Sequence, residues 1–223
     1  MAAPKIVFYF DTVSPFAYIA YYVFRHDPVF AECNITYVPI LLGGLFKMCS
    51  NTAPIMIKNK DKWIDRERQI WASAFDVPMH QERPPNFPPR TLPIMRALAA
   101  LGSTSQSSLT SALDALWEEF FVHHARTEEP AELRRNLSKA LESQSLADEI
   151  LRRAASDDAD GGKATLTANT EKAFRDGAFG VPWLVCTRSD GQQESFWGVD
   201  HLGRLAAFLQ LDKPATGKWK SLL

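Results

Sequence analysis

A serine at the start of a helix is the residue in this chain best placed to do chemistry. Ser14 precedes Pro15, and the residues from Phe16 to His26 contain no helix breaker. Serine is a favoured N-cap and proline a favoured first helical residue, so the pattern predicts a helix from Pro15 capped by Ser14. Unpaired N–H groups and the helix dipole favour an anion at such an end, and a hydroxyl adds a donor. The alternative is that Ser14 only caps the helix.

Other reactive groups form weaker patterns. Cys33, Cys49 and Cys186 make no CxxC pair and have no zinc-site spacing. We expect Cys186 in a core strand, while a reactive Cys49 stays open beside its interpretation as a small hydrophobe. His123 and His124 are adjacent, so on a helix their side chains point about 100° apart and cannot share one metal ion. The sequence predicts neither a metal site nor a disulfide framework.

The overall composition argues against nucleic acid and membrane as partners. The 25 Lys and Arg residues nearly balance the 26 Asp and Glu residues, and the sequence contains no basic stripe that would follow a phosphate backbone. No apolar run approaches the roughly 20 residues that span a bilayer, and the N-terminus lacks a basic region before a long apolar one. We therefore expect a soluble, unsecreted protein. Its compartment stays open, because residues 220–223 only loosely resemble a peroxisomal signal.

The first 42 residues indicate a strand, a helix and a strand. Residues 5–10 and 35–40 are rich in β-branched and aromatic side chains, and the helix between them is long enough to connect parallel strands. Gly43-Gly44 is expected to break this pattern, and the chain to about residue 155 shows only helical periodicity. Two apolar stripes there are predicted to be core: Trp63, Ile64, Ile70, Trp71, Ala74 and Phe75, and Leu109, Ala112, Leu113, Leu116, Trp117, Phe120 and Phe121. Between them, six prolines in residues 77–93 predict an extended loop that could form a wall over a site.

Sheet signals return after a polar loop at residues 156–162. We expect a helix at 165–175, strands at 182–187 and 194–197 around a turn at 189–191, and a closing helix at 202–209. This order predicts an α/β protein with a thioredoxin-like fold interrupted by an all-helical insertion domain. The predicted division is 1–48 and 164–223 for the thioredoxin-like domain and 49–163 for the insertion. Redox enzymes of this fold keep their first cysteine at the position of Ser14, but residues 14–17 contain no sulfur, which excludes disulfide exchange at this turn.

Three segments, at residues 8–18, 43–51 and 177–182, together with residues 197–200, resemble the kappa class of glutathione transferases and the related 2-hydroxychromene-2-carboxylate isomerases. The likeness covers nearly the whole chain. It implies a DsbA-like arrangement, glutathione as co-substrate, a small apolar electrophile and a homodimer. It also implies that Ser14, with Pro15 and Phe16, holds the glutathione thiolate. A free cysteine thiol has a pKa of about 8.5, so the protein must favour the anion.

The resemblance assigns the remaining glutathione contacts. Val181-Pro182 is expected to be a cis bond whose valine main chain pairs with the cysteinyl residue of glutathione; the alternative is an ordinary strand start. Asn51 would hydrogen-bond the peptide, although turn asparagines are common. Lys60 would approach the glycine carboxylate, although Lys58 and Lys62 flank it.

The γ-glutamyl end of glutathione is expected at residues 199–200. Asp200 would pair with its ammonium group, through a charge-assisted bond. Val199 departs from the family, which usually has a polar residue there, so only backbone N–H groups remain for the carboxylate. His201 could line this site or be an ordinary surface histidine.

Three functions stay open. The first is a transferase in which the thiolate attacks an electrophilic carbon. The second is an isomerase in which a transient glutathione adduct lets a double bond rotate; Trp197-Gly198 and the segment from Pro85 to Phe87 resemble that branch. The third is a glutathione-binding module without catalysis.

Overall fold

A four-stranded mixed sheet organises the protein, for which a computed structural model describes residues 2–214, 217 and 219. The strands lie in the order β2-β1-β3-β4 and span Lys5–Phe10 (β1), Asn34–Pro39 (β2), Trp183–Thr187 (β3) and Gln193–Trp197 (β4). β1 pairs in parallel with β2 and antiparallel with β3, which forms a hairpin with β4. The predicted strands and the parallel first pair are confirmed, with shifts of one residue at several ends.

Helices cover the sheet and fill the middle of the chain. They span Pro15–His26 (α1), Leu42–Met48 (α2), Lys60–Ala74 (α3), Leu92–Gly102 (α4), Gln106–Phe121 (α5), Pro130–Ala140 (α6), Gln144–Ala155 (α7), Gly162–Arg175 (α8) and Leu202–Phe208 (α9), with short 3-10 turns at Pro28–Phe30, Pro54–Met56 and Val199–His201. Between β2 and β3 the described chain contains no strand, as expected for a helical insertion. The predicted α/β order is therefore confirmed.

The helical part of the chain begins where the sequence indicates, but its first apolar stripe is only partly core. The strand-helix-strand pattern ends before Gly43-Gly44, as expected, and both glycines lie inside α2, where packing against α8 outweighs the low helix propensity of glycine. In α3, Trp63 and Ile70 are 54% and 44% exposed, so the prediction is wrong for this part of the stripe, whereas Phe75 is buried in the core as predicted. The face that α3 buries contains Arg68, whose guanidinium donates to the carbonyls of His80 and Gln81.

The α5 stripe is buried as predicted, and it joins the insertion to the sheet. Phe8 and Phe10 point from β1 toward α1 and α5, where Trp117 packs on Phe10 with ring centroids 5.4 Å apart. Tyr9 points to the other face of the sheet, toward α8 and α2. Because one continuous core contains residues of both predicted domains, the division at residues 48 and 163 stays a prediction.

Tight contacts fix the end of the helical insertion and the C-terminal part of the chain. At the start of α8, a Cβ on Gly162 would lie 2.2 Å from the Arg96 carbonyl oxygen in α4, so glycine permits the close approach of these helices. Near the C-terminus, Trp219 is 1% exposed and donates from its indole nitrogen to Asp27 at 3.2 Å. Residues 220–223, where the weak targeting signal lies, are outside the described part. No helix among the described residues is long and apolar enough to cross a membrane.

Candidate functional site

The turn between β1 and α1 places Ser14 at the N-terminus of α1, as predicted. Its Oγ accepts a hydrogen bond from the Ala17 N–H at 3.2 Å, and its carbonyl accepts from the Tyr18 N–H at 3.1 Å. The hydroxyl hydrogen of Ser14 is therefore left to donate to another group. Pro15 has no N–H, and the Phe16 N–H donates to no acceptor in the described part of the chain. The first turn of α1 carries no acidic side chain, so this end can hold an anion.

A buried carboxylate braces the same turn. Asp11 accepts from the Val13 N–H through Oδ1 at 3.1 Å and from the Leu42 N–H through Oδ2 at 2.9 Å, and it also bonds with Thr91 at the start of α4. Burial raises the pKa of Asp11, and the three hydrogen bonds oppose that shift. One side chain therefore fixes the turn that carries Ser14 relative to α2 and α4.

The helical insertion also contacts this turn. Thr12 donates from its N–H and its hydroxyl to the sulfur of Met95, at 3.5 Å each, and its carbonyl accepts from the Trp117 indole at 3.2 Å. Tyr18, one turn into α1, donates to the Pro78 carbonyl at 2.9 Å, at the start of the proline-rich segment. Both the insertion and this segment therefore lie beside the N-terminal part of α1.

The Val181-Pro182 peptide bond is cis, which confirms that expectation. The Pro182 carbonyl accepts from the Gly198 N–H at 3.1 Å, so this loop is tied to the end of β4. Val181 lies just outside β3, and neither its N–H nor its C=O bonds with any other residue that the structure describes. These two groups can pair with an extended peptide, in the manner of an added strand.

The segment after α2 lies against the same loop. Asn51 donates from Nδ2 to the Phe179 carbonyl at 3.0 Å, and the Cys49 thiol contacts the Ala178 carbonyl at 3.4 Å. Asn51 therefore contacts the chain two residues before Val181, and its exposed amide borders the cis-proline loop. Lys60 is the first residue of α3, with an exposed side chain that forms no ion pair within the described residues.

The turn Val199–His201 completes the set of predicted residues and packs against α1. Val199 is buried, whereas the Asp200 side chain is 58% exposed. Gly198 has a φ of 90° and a ψ of 156°, and a Cβ on it would lie 2.3 Å from Asp200 Oδ1. The Asp200 carboxylate therefore folds back over Gly198, the residue whose N–H donates to the Pro182 carbonyl.

Sequence patterns missed an aromatic cluster at this edge. The Phe179 ring lies 4.9 Å from that of Trp197 and 5.5 Å from that of Trp183, centroid to centroid. Phe179 and Trp197 remain partly exposed, and Trp197 covers Gly180 so closely that a Cβ there would lie 2.8 Å from its indole nitrogen. The pairing of β3 with β4 creates this cluster. The sequence did contain a signal for it. If the two predicted strands pair as a hairpin, Trp183 and Trp197 lie directly opposite each other, and their side chains are then neighbours.

Two of the protein's own thiols, Cys33 and Cys186, are poor candidates for a nucleophile. All three cysteines are free. Burial raises the pKa of Cys33 to about 11 and raises that of Cys186 further, as expected for a thiol in a core strand. No group of three or more His, Cys, Asp or Glu side chains within residues 2–214 is arranged to hold a metal ion. The chemistry that the Ser14 turn can support is stabilisation of an anion that comes from a bound molecule.

Residues 5–210 match the model of the DSBA-like thioredoxin domain family. The chain belongs to this family. It is 27% identical to "Glutathione S-transferase kappa 1" of Caenorhabditis elegans over 95% of this chain and 93% of that protein. It is 24% identical to the Rattus norvegicus protein of the same name, over 93% and 92%. The solved structure of a 2-hydroxychromene-2-carboxylate isomerase superposes with a TM-score of 0.73 at 20% identity, over 92% of this chain and 94% of that one. The predicted DsbA-like fold and the resemblance to the kappa class are thereby confirmed.

Proposed function

We propose that this DSBA-like protein is a kappa-class glutathione transferase, which stabilises the glutathione thiolate at Ser14 for attack on a small electrophilic substrate that is aromatic or otherwise apolar. The observation that carries the proposal is the Ser14 hydroxyl. Its oxygen is occupied by the Ala17 N–H, and its hydrogen is free to donate at the N-terminus of a helix whose first turn carries no acidic side chain. Relatives named glutathione S-transferase kappa, at 24% and 27% identity over most of the chain, support the same reaction class.

The thiolate is the species that this site must favour. Each unit by which the pKa of the bound thiol falls below its ordinary value of about 8.5 corresponds to about 1.4 kcal/mol of preference for the anion. The Ser14 hydroxyl and the Phe16 N–H supply two donors for the sulfur. The sulfur then attacks an electrophilic carbon and forms a C–S bond. In substitution the leaving group departs with its bonding electrons, and in addition the neighbouring carbon takes a proton from solvent.

The rest of glutathione is assigned to groups around this sulfur position. Val181 pairs through its free N–H and C=O with the cysteinyl main chain, and the Asn51 amide borders the same peptide. Asp200 binds the γ-glutamyl ammonium, while the γ-glutamyl carboxylate is left to the backbone N–H groups of Val199 and Asp200. Lys60 is assigned to the glycine carboxylate.

The electrophile is placed between the insertion and the proline-rich segment. Contacts of Thr12 with Met95 and Trp117 place the insertion beside the turn, and the Tyr18 bond to Pro78 holds the start of that segment against α1. An apolar substrate is expected there. The resemblance to the kappa class also leads us to propose a homodimer, and a sedimentation experiment that finds a stable monomer would remove this part of the proposal.

The alternative is a glutathione-dependent cis-trans isomerase with the same thiolate site. The segment from Pro85 to Phe87 favours it, since it resembles that branch. This segment is fixed in place, because Asn86 donates to Glu128 at 2.6 Å. In this reaction the sulfur adds to a conjugated double bond, rotation follows, and the sulfur leaves again.

Turnover assays separate these functions. The protein is incubated with glutathione and either 1-chloro-2,4-dinitrobenzene or a 2-hydroxychromene-2-carboxylate, and both glutathione and product are followed. A transferase consumes glutathione in step with chloride release, whereas an isomerase needs glutathione and does not consume it. If the protein binds glutathione but catalyses neither reaction, it is a non-catalytic glutathione-binding module. If it does not bind glutathione, the whole proposal is contradicted.

A further inference from the structure

An unsatisfied histidine nitrogen lies beside the carboxylate to which we assign the γ-glutamyl ammonium. His201 Nδ1 is buried and has no hydrogen-bond partner, and it lies 3.5 Å from Asp200 Oδ1. We propose that His201 is a positioning residue for Asp200, which holds this carboxylate in the orientation that receives the ammonium group of glutathione. The inference rests on the proposed function and extends it to a residue outside the set assigned above.

The neighbouring side chains are less suited than His201 to position the Asp200 carboxylate. Val199 is apolar and buried, so it offers no side-chain hydrogen bond at the subsite. Arg204, one turn further along α9, is engaged by Glu194 at 3.2 Å. Among the ion pairs within the described residues, the only one that involves Asp200 is its contact with His201.

The tautomer of His201 follows from this geometry. A neutral imidazole has one nitrogen that donates and one that accepts. If Nδ1 were the acceptor, its buried lone pair would face the lone pairs of Asp200 Oδ1. Repulsion between the two acceptors disfavours that tautomer, so Nδ1 carries the hydrogen and Asp200 Oδ1 is its natural acceptor.

The present contact is about half an ångström longer than a good N–H···O bond, and Nδ1 is therefore still unsatisfied. A small rotation of the Asp200 carboxylate would complete the bond through Oδ1 and leave Oδ2 for the ligand. Gly198 makes this arrangement possible, because its missing side chain provides the space into which Oδ1 folds. Asp200 is largely exposed, so without a second partner its carboxylate would sample several orientations.

Three substitutions of His201 test the role of Nδ1. In His201→Asn the side-chain amide nitrogen can overlay Nδ1, in His201→Gln it overlays Nε2, and in His201→Ala both are lost. We expect His201→Ala and His201→Gln to raise the KM for glutathione about fivefold to tenfold with kcat nearly unchanged, while His201→Asn stays close to the native value. An alanine variant with unchanged KM, or an asparagine variant as weak as alanine, would overturn the proposal.

A glutathione analogue separates positioning from a general structural effect. In this analogue a hydrogen replaces the γ-glutamyl amino group, so Asp200 has no ammonium to bind. We expect His201→Ala to weaken glutathione but to leave the affinity of the analogue unchanged by calorimetry, and equal losses for both ligands would refute the positioning role. Native protein that fails to bind glutathione would overturn the proposed function as well. If the native protein binds glutathione and Asp200→Asn weakens it but His201→Ala does not, this inference alone fails.

Discussion

Replacement of Gly198 by alanine should both strain the backbone and weaken glutathione binding. Gly198 has a φ of 90° and a ψ of 156°, a conformation that is essentially restricted to glycine, so alanine should cost about 1–3 kcal/mol of stability. The new Cβ would also lie 2.3 Å from Asp200 Oδ1, a distance that forces the carboxylate to move. The two effects act on different measurements.

The expected loss of binding follows from the bond that Asp200 is proposed to make. A charge-assisted hydrogen bond contributes about 1.5–3 kcal/mol, so its loss corresponds to an increase of roughly tenfold to a hundredfold in KM for glutathione. The turnover number should change much less, because Ser14 and its helix are untouched. Initial rates at varied glutathione concentration, with saturating electrophile, measure both parameters.

Gly191 provides the matched control. It also has a positive φ, of 89°, but a Cβ there would meet nothing within 4 Å. Gly191→Ala should therefore lose stability in urea denaturation without a change in KM. If Gly198→Ala and Gly191→Ala had the same KM, the assignment of Asp200 to the ammonium group of glutathione would be refuted.

Three further predictions concern stability. Trp219→Ala should lower the free energy of unfolding, measured by urea denaturation, by about 3–5 kcal/mol. The substitution empties a buried site between Phe30 and Phe75 and removes the hydrogen bond to Asp27. A loss of less than about 1 kcal/mol would show that Trp219 does not anchor the C-terminal part of the chain. Gly162→Ala should destabilise the protein through its clash with the Arg96 carbonyl, whereas Gly43→Ala, with open space in α2, should stabilise it by up to about 1 kcal/mol; the opposite signs would contradict the helix packing. Burial and the neighbouring His80 lower the pKa of His124, so the unfolded chain binds its proton more tightly, and the free energy of unfolding should fall as the pH drops below about 6.5. His124→Asn, which tolerates the positive φ at this position, should reduce that slope in denaturation curves recorded across this range, and an unchanged slope would assign it to other groups.

Local rules were sufficient for the part of the site that one segment builds. The N-cap of α1 followed from the Ser14-Pro15 pair, and the Lys5–Phe10 strand from its β-branched and aromatic residues. The cis bond at Pro182 was expected from the family resemblance, since its prior from sequence alone is about 5%. These features depend on a few neighbouring residues or on a recognisable motif.

Features that depend on distant contacts were missed. Asp11 reads as an ordinary turn aspartate, and only the folded chain brings Leu42 and Thr91 to its carboxylate. The spacing of apolar residues placed Trp63 in the core. In the structure α3 instead buries the charged Arg68, whose hydrogen-bond partners are carbonyl groups of the following loop, and apolar spacing carries no information on such partners. A second cis bond, at Phe87-Pro88, was also not predicted.

The role of Ser14 as the anchor of the thiolate is tested by the pKa of the glutathione thiol in the bound state. Thiolate absorbance of the complex is titrated in the native protein, in Ser14→Ala and in Ser143→Ala, which removes an equivalent N-cap bond of 3.2 Å from α7, away from the site. We expect a native pKa below about 8.5, a rise of about one to two units in Ser14→Ala, and no change in Ser143→Ala. A bound thiol that titrates near 8.5 in all three proteins would contradict this role.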